Sequence, residues 1–183
     1  GINLHSYRSA QMKRRLTSYM RKHQIFSFVS FAEHLEKAQT ELDKLVDYFT
    51  INVTQFFRDA KQWEVLISKV IPLLGGIQNE SGKALRVWSA GCSAGQEAYS
   101  AAIAFKQARR AVSVLGTDID QPSLGKAAVG RYSVREIKGA PENILNKYFV
   151  QEGSSYIVSE ELRRAVRFKR HSLLGAAYPK NLD

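Results

Sequence analysis

Cysteine, histidine and long apolar runs are scarce in this sequence of 183 residues. The single cysteine, Cys92, excludes an intrachain disulfide framework and fits a protein of the reducing cytosol. The four histidines lack the spacing of metal ligands, either with one another or with Cys92, so no metal site is predicted. Because no run of about 18 apolar residues occurs and no signal peptide precedes the first polar residues, neither membrane insertion nor export is expected.

Acidic residues are also in deficit, with 17 Asp and Glu against 27 Lys and Arg, which gives a formal net charge of +10. An acidic partner is therefore expected: nucleic acid, an anionic membrane face or a glutamate-rich protein surface. Composition alone does not choose among these three. A chain of this length that is 44% hydrophobic can bury a core, as one domain or as two small ones.

The most informative stretch is VWSAGCSAGQEAYS, residues 87–100. It follows a β-prone run at 85–88, continues through small residues at 89–95 and becomes an alanine-rich helix at 97–106. Free N–H groups and the positive end of the helix dipole would face a ligand that carries negative charge or hydrogen-bond acceptors. The glycine spacing does not match the dinucleotide fingerprint, and an ordinary strand-to-helix turn is the alternative interpretation.

A second apolar run, 112–115, leads into Gly-Thr-Asp-Ile-Asp at 116–120. An acid that follows the second strand typically binds ribose hydroxyls, and Asp118 has that position. We expect Asp120 to cap the next helix, which leaves Asp118 free for the ribose; the alternative is that Asp118 is a solvated loop residue. Cys92 lies in the preceding turn, but with no paired histidine it is interpreted as a small buried residue rather than a nucleophile.

The N-terminal region is predicted to be helical. A helix at 9–23 has an apolar face formed by Met12, Leu16, Tyr19 and Met20. Its other face carries Arg14, Arg15, Arg21 and Lys22. No acidic residue precedes Glu33, so this face either binds phosphates or carboxylates or is simply solvated.

Two further helices are expected before residue 50. Ser27 or Ser30 is predicted to cap a helix at 30–38, and Thr40 is predicted to cap the next one. After residue 50, TINVTQFFRD (50–59) interrupts the pattern before a long amphipathic helix, 60–74. Near the C-terminal end, strands at 148–151 and 156–158 indicate a small antiparallel hairpin, followed by a helix and a strand at 166–170.

Three motifs, TINVTQFFRD, WSAGCSAGQEAYS and GTDID, occur here in an order and spacing that resemble the CheR family of chemotaxis receptor methyltransferases, over essentially the whole chain. The resemblance implies S-adenosylmethionine as cofactor and S-adenosylhomocysteine as product. It implies methylation of glutamate side-chain carboxylates on the cytoplasmic helices of chemoreceptors. The acidic helical bundle of such a receptor would be the partner of the basic helix.

The resemblance also implies an α/β fold: a Rossmann-type methyltransferase domain, an all-helical N-terminal domain and a small antiparallel β-subdomain. We assign residues 1–60 to the helical domain, 61–83 to a connecting helix and linker, and 84–183 to the methyltransferase domain. The β-subdomain is placed at about 148–171. The family continues into further strands, so the C-terminal part of the sheet is expected to be missing, with about three parallel strands present.

Site residues follow from the match to the family motifs. The cofactor-binding set is Asn52, Thr54, Arg58, Ala90, Gly91, Gln96, Asp118, Ile119, Ser172 and Leu173. Within it, Asp118 would take the ribose hydroxyls and Ile119 would lie beside the adenine. Arg58 is also the candidate catalytic residue, because its bidentate fork suits a carboxylate. The receptor-binding set is Arg14, Arg15, Arg21 and Lys22.

Two substitutions relative to the family pattern bear on cofactor affinity. Gln96 stands where a glutamate usually meets the cofactor's amino group, and Ser172 stands where an asparagine usually meets the adenine. A degenerate receptor-binding module with weak cofactor affinity is therefore one alternative. A nucleic-acid methyltransferase is another, although aromatic residues do not interleave with the basic ones in the first helix and no RNA-binding motif is found. The short connection at 152–155 argues against a dock for a receptor's C-terminal pentapeptide.

Overall fold

The computed structural model describes residues 9–37, 39–49, 54–74, 83–174 and 177–183. The chain forms two compact units, 1–51 and 52–183. In this division the helix that begins at Ala60 falls in the same unit as the sheets. None of the helices in the described ranges has both the length and the hydrophobicity needed to cross a membrane.

In its described ranges, 9–37 and 39–49, the first unit contains three helices: α1 (Ser9–Lys22), α2 (Phe28–Glu36) and α3 (Gln39–Phe49). Their shared core is formed by the buried side chains of Met12, Tyr19, Met20, Phe31 and Leu45, with Leu16 partly buried against them. The apolar face predicted for α1 is therefore confirmed. It explains why an amphipathic helix is stable here, since the burial of one face outweighs its modest intrinsic propensity.

The two predicted helix caps have different outcomes. Ser27 caps α2, because its hydroxyl accepts a hydrogen bond from the backbone N–H of Ser30. Thr40 is not a cap, since α3 already begins at Gln39. The Gln39 side-chain amide donates to the Asp43 carboxylate at 3.2 Å, and this pair, four residues apart, stabilises the first turn of α3.

The elements of the second unit are, in chain order, α4 (Ala60–Val65), β1 (Leu85–Ala90), α5 (Gln96–Gln107), β2 (Val112–Asp118), α6 (Gln121–Val129), β3 (Arg131–Ser133), α7 (Val134–Ile137), α8 (Glu142–Tyr148), β4 (Phe149–Glu152), β5 (Ser155–Val158), α9 (Glu160–Arg164) and β6 (Val166–Arg170). The main sheet has the order β1-β2-β6 and is parallel throughout. The three parallel strands predicted from the sequence are thus confirmed among the described residues. Helix α5 packs on this sheet with an almost fully buried apolar face.

The small sheet has the order β3-β5-β4 and is antiparallel. Its membership differs from the predicted subdomain at 148–171. Strand β6 leaves that subdomain for the main sheet, where Val166 pairs with Val114 and is buried, and β3 joins the hairpin in its place. An isolated two-stranded hairpin is at best marginally stable, and the pairing of β3 with β5 adds the third strand that stabilises it.

The helix predicted at 60–74 is present but not uniform. After α4 it widens into a π-helical segment, Leu66–Val70, and then continues through 71–74. The N–H of Ile71 donates to the carbonyl of Leu66, five residues earlier. The extra residue in this turn shifts the buried face of the helix: Ile71 is 1% exposed, while the apolar side chains of Ile67 and Val70 are both 38% exposed.

Candidate functional site

The loop between β1 and α5, residues 91–95, is fixed to the end of β2 by its backbone. The N–H groups of Gly91 and Cys92 both donate to the carbonyl of Thr117, at 2.7 and 2.9 Å. Gly95 has a φ of 88° and caps α5; a Cβ there would lie 2.8 Å from the Cβ of Ala127. Glycine is therefore required at position 95 for both its dihedral and its close approach to α6.

The N-terminus of α5 offers unused hydrogen-bonding groups to a ligand. Its cap residue, Gly95, has no side chain, so no cap side chain accepts from the first N–H groups of this 12-residue helix. Gln96 is 2% exposed, and its side-chain Oε1 has no hydrogen-bond partner among the described residues. At Gly91 a Cβ would meet no atom within 4 Å, so the loop borders open space. A buried amide oxygen without a donor is rare in folded proteins, and this one can accept a hydrogen bond from a ligand.

Asp118, at the end of β2, is held by two backbone groups. Its Oδ2 accepts from the N–H of Ser93 at 2.7 Å, and its Oδ1 accepts from the N–H of Asp120 at 2.9 Å. Asp120 caps α6 through a 3.3 Å bond from the N–H of Ser123, as predicted. Asp118 is half-buried at the end of β2, so the alternative of a solvated loop residue is wrong, while its role toward the ribose stays a prediction. A carboxylate oxygen has two lone pairs, so each still accepts one hydrogen bond from a ligand.

The end of β6 lies beside Asp118. The N–H of His171 donates to the carbonyl of Asp118 at 2.9 Å, which brings Ser172 and Leu173 to the edge of the sheet where Asp118 lies. The Ser172 hydroxyl bonds within its own turn, to the N–H and carbonyl of Leu174 at 3.2 and 3.3 Å. Leu173 is 44% exposed. Both predicted residues are thus placed near Asp118, but the serine hydroxyl is already engaged.

Two further cofactor candidates, Ala90 and Ile119, lie at the carboxyl ends of the neighbouring strands β1 and β2. Ile119 is half-buried, and its carbonyl accepts from the Nε of Arg170 at 3.2 Å. Ala90 is the last residue of β1 and is exposed. Ligands of open parallel sheets bind outside the carboxyl ends of the strands, and these two residues lie at that edge.

The segment that carries Arg58 packs against α5 and the small sheet. Of its predicted residues, Asn52 lies outside the described part of the chain, and Thr54 is half-buried. Phe56 is fully buried and meets Tyr132 edge to face, with ring centroids 5.0 Å apart. Arg58 has an exposed side chain with its Nε 4.0 Å from the Asp59 carboxylate. The buried Phe56 ring holds the segment in place, and the exposed Arg58 guanidinium can bind the carboxylate of a substrate.

Cys92 has the properties of a packed residue rather than a nucleophile. It is 1% exposed. Burial, and secondarily the negative charge of Asp118, raise the pKa of its thiol to about 12. Because the thiolate is the reactive form, the thiol is inert near neutral pH. Within the described ranges, no three His, Cys, Asp or Glu side chains are grouped so that they could hold a metal ion.

The basic face of α1 divides into two kinds of residue. Arg14, Arg21 and Lys22 are exposed. Arg15 is half-buried: its guanidinium donates to the carbonyl of Tyr48 and lies 5.4 Å from the centre of that tyrosine ring. Arg15 therefore belongs to the packing of the helical unit, whereas the sequence had grouped it with the exposed residues. Its helical position does not reveal this, because the partner lies 33 residues away.

Sequence reasoning missed three residues that organise the site. Ser93 fixes Asp118 through a backbone N–H, which no side-chain motif reveals. The Tyr132 hydroxyl donates to the carbonyl of Ala94 at 2.7 Å, from the small sheet to the loop. The Ser100 hydroxyl, within a motif already noted, accepts from the N–H of Phe57 at 3.0 Å. For Ser100 the available signal was its position at the end of the motif at 87–100.

Comparison with known proteins agrees with this geometry. Residues 52–183 match the family profile described as "CheR methyltransferase, SAM binding domain", and residues 1–50 match "CheR methyltransferase, all-alpha domain". Chemotaxis protein methyltransferases of Listeria innocua and Listeria monocytogenes are 39% and 37% identical over 185 residues, covering 100% of this chain and 70% of each relative. That of Borreliella burgdorferi is 32% identical over 189 residues, covering 98% of this chain and 67% of the relative. With its helical unit, its parallel sheet and its S-adenosylmethionine-binding domain, the chain belongs to the CheR methyltransferase family.

Proposed function

We propose that this chain transfers a methyl group from S-adenosylmethionine to glutamate side chains on the cytoplasmic helices of chemoreceptors, which yields γ-glutamyl methyl esters and S-adenosylhomocysteine. The observation that carries the proposal is the buried Gln96 Oε1, which has no hydrogen-bond partner among the described residues. Gln96 lies in the first turn of α5, and the loop that precedes this helix is bonded to Asp118 through the N–H of Ser93. The names of the relatives, chemotaxis protein methyltransferases, support the substrate class.

The described residues fit the cofactor group by group. Gln96 would accept a hydrogen bond from the amino group through its amide oxygen, where Ala90 and Gly91 leave room for the chain to pass. Asp118 would accept the ribose hydroxyls through the one lone pair that remains on each oxygen. Ile119 and Leu173 supply apolar surface for the adenine. Ser172 would add little, because its hydroxyl bonds within its own turn.

The chemistry requires alignment rather than a general base. S-adenosylmethionine, when bound, supplies a methyl group on a positively charged sulfur that is a good leaving group. A glutamate carboxylate has an ordinary pKa near 4.3, so at neutral pH it is ionised and is itself the nucleophile. We assign Arg58 to orient that carboxylate through its bidentate fork, and Asn52 and Thr54 of the same sequence motif stay candidates for the cofactor. Cys92 has no part in this step, because its thiol is protonated and buried.

The receptor would be recognised by charge. Arg14, Arg21 and Lys22 form an exposed basic set on α1, a helix that contains no acidic residue. A receptor's acidic helical bundle complements it, and such contacts favour association rate and specificity. Arg15 is left out of this set, because its guanidinium already contacts Tyr48.

The alternative of a receptor-binding module with weak cofactor affinity has specific support. A neutral Gln96 forgoes a charge-assisted bond to the amino group, and the Ser172 hydroxyl is engaged locally. Calorimetric titration of S-adenosylhomocysteine separates the two. Micromolar binding supports the enzyme, and undetectable binding supports the module.

The decisive experiment transfers radiolabelled methyl from S-adenosylmethionine to a receptor cytoplasmic fragment and recovers it as methanol after mild base, which is the behaviour of an ester. We expect the charge-reversed pair Arg14→Glu with Arg21→Glu to abolish transfer and to leave the titration unchanged. The control pair, Lys37→Glu with Lys138→Glu, makes the same change of charge at exposed positions elsewhere. Loss of cofactor binding in the first pair would make those arginines structural, and label stable to base would refute the ester.

A further inference from the structure

The Ser100 hydroxyl joins two parts of the site. Ser100 is fully buried in α5. Its Oγ donates to the carbonyl of Gln96 at 2.7 Å and accepts from the backbone N–H of Phe57 at 3.0 Å. Gln96 carries the buried amide, and Phe57 directly precedes Arg58. One hydroxyl therefore connects the cofactor-facing turn of α5 with the segment proposed to hold the methyl acceptor, 43 residues apart in sequence.

Other contacts hold this segment laterally. A Cβ at Gly139 would lie 2.3 Å from the carbonyl oxygen of Phe56, so the backbone there is in close contact with the loop after α7. The Phe56 ring packs on Tyr132 and Phe149. The indole Nε1 of Trp63 donates to the carbonyl of Arg58 at 2.8 Å. These contacts fix which side of the segment is buried, while the Ser100 bond fixes how Phe57 sits against α5.

We propose that Ser100 is a positioning residue, which sets Arg58 relative to the N-terminal turn of α5 and thereby aligns the acceptor carboxylate with the methyl donor. The proposal rests on the proposed function. Methyl transfer in line requires close control of distance and angle, and a displacement of about 1 Å can lower the rate by about 100-fold. Removal of this hydroxyl should therefore change turnover without changing cofactor affinity.

The test variant is Ser100→Ala. Alanine favours a helix, so α5 stays intact, and the change removes only the acceptor of the Phe57 N–H and a local bond to Gln96. At saturating cofactor we expect kcat for receptor methylation to fall about tenfold or more, with the S-adenosylhomocysteine Kd within about twofold. The matched control is Ser68→Ala, because Ser68 also donates to the carbonyl four residues earlier but is exposed. Its kcat and Kd should not change.

A second readout does not depend on methyl transfer. The chain has two tryptophans, Trp63 and Trp88, whose indole N–H groups donate to the Arg58 carbonyl and to the Thr117 hydroxyl. In ¹⁵N spectra, with the two signals assigned by Trp63→Phe, Ser100→Ala should shift the Trp63 resonance and speed its hydrogen exchange. The Trp88 resonance should stay in place.

The outcomes separate the two proposals. An unchanged kcat overturns the positioning role, as does a Kd that weakens by the same factor as kcat falls, because Ser100 would then act through the cofactor turn. If the wild-type protein transfers no methyl group to the receptor, the proposed function fails. The Trp63 resonance then decides whether Ser100 positions the segment that carries Arg58. A shifted Trp63 signal with unchanged Kd supports the role of Ser100, and an unmoved signal refutes it.

Discussion

Replacing Gln96 by glutamate tests the cofactor site most directly, because it alters one atom of a buried side chain. The Gln96 Oε1 lacks a partner among the described residues, and the side chain is 2% exposed at the first turn of α5. Gln96→Glu keeps the shape and replaces the amide with a carboxylate. We expect it to tighten binding of S-adenosylhomocysteine, whose amino group would then meet a full negative charge.

The expected gain follows from two terms. A hydrogen bond between neutral groups contributes about 0.5–1.5 kcal/mol and one to a charged group about 1.5–3 kcal/mol, so the exchange is worth about 1 kcal/mol, or roughly fivefold in Kd. In the free variant the carboxylate would also be desolvated, which the α5 dipole offsets by about 0.3–1 kcal/mol. The amino group of the ligand offsets the rest of this desolvation cost when it binds. The Kd of Gln96→Glu should therefore be about tenfold lower than that of the wild-type protein.

Calorimetry gives the two Kd values, and thermal unfolding gives a second signature. The free variant should melt below the wild-type protein, because its buried carboxylate lacks a counter-charge, and saturating ligand should reverse the order. Gln107→Glu, at the other end of α5, is the matched control, because residue 107 is exposed. Equal or weaker binding by Gln96→Glu would refute the reasoning, since it would mean that the amide oxygen does not meet the amino group.

Three further predictions concern other parts of the second unit. Asp118→Ala should weaken S-adenosylhomocysteine binding at least tenfold by calorimetry, since two bonds of about 1.5–3 kcal/mol each are lost; an unchanged Kd would contradict the ribose assignment. Cys92, with its pKa near 12, should resist iodoacetamide at about pH 8.5 until urea unfolds the chain, and labelling of the folded protein at the rate of free cysteine would contradict its burial. A receptor C-terminal pentapeptide should show no saturable micromolar binding by fluorescence, because β4 and β5 are joined by Gly153 and Ser154 alone; salt-insensitive saturation would establish a dock.

Local chemistry made the central loop predictable. Small residues at 89–95 between a β-prone run and an alanine-rich helix specify a strand, a turn and a helix, and the structure has all three. The cap at Asp120 followed from its position before Pro122. Each of these features depends on residues within about one turn of one another, and that is the range over which propensity and capping act.

Features that depend on distant partners were not predictable. The assignment of β6 to the main sheet is decided by its pairing with β2, about 50 residues away, and a short strand of alternating apolar and basic residues does not specify its neighbour. Arg15 has the same sequence character as Arg14, but it is the Arg15 guanidinium that lies over the Tyr48 ring. The π-helical segment at Leu66–Val70 shifts a helical face by a residue, which a regular period of 3.6 cannot represent.

The two backbone bonds to Asp118 affect the entropy of ligand binding. A solvated aspartate samples several rotamers, and a ligand that selects one of them loses part of its binding free energy to that restriction. In this protein the N–H groups of Ser93 and Asp120 hold both carboxylate oxygens. The restriction therefore occurs when the chain folds, and a bound ribose would find the side chain already in a single orientation.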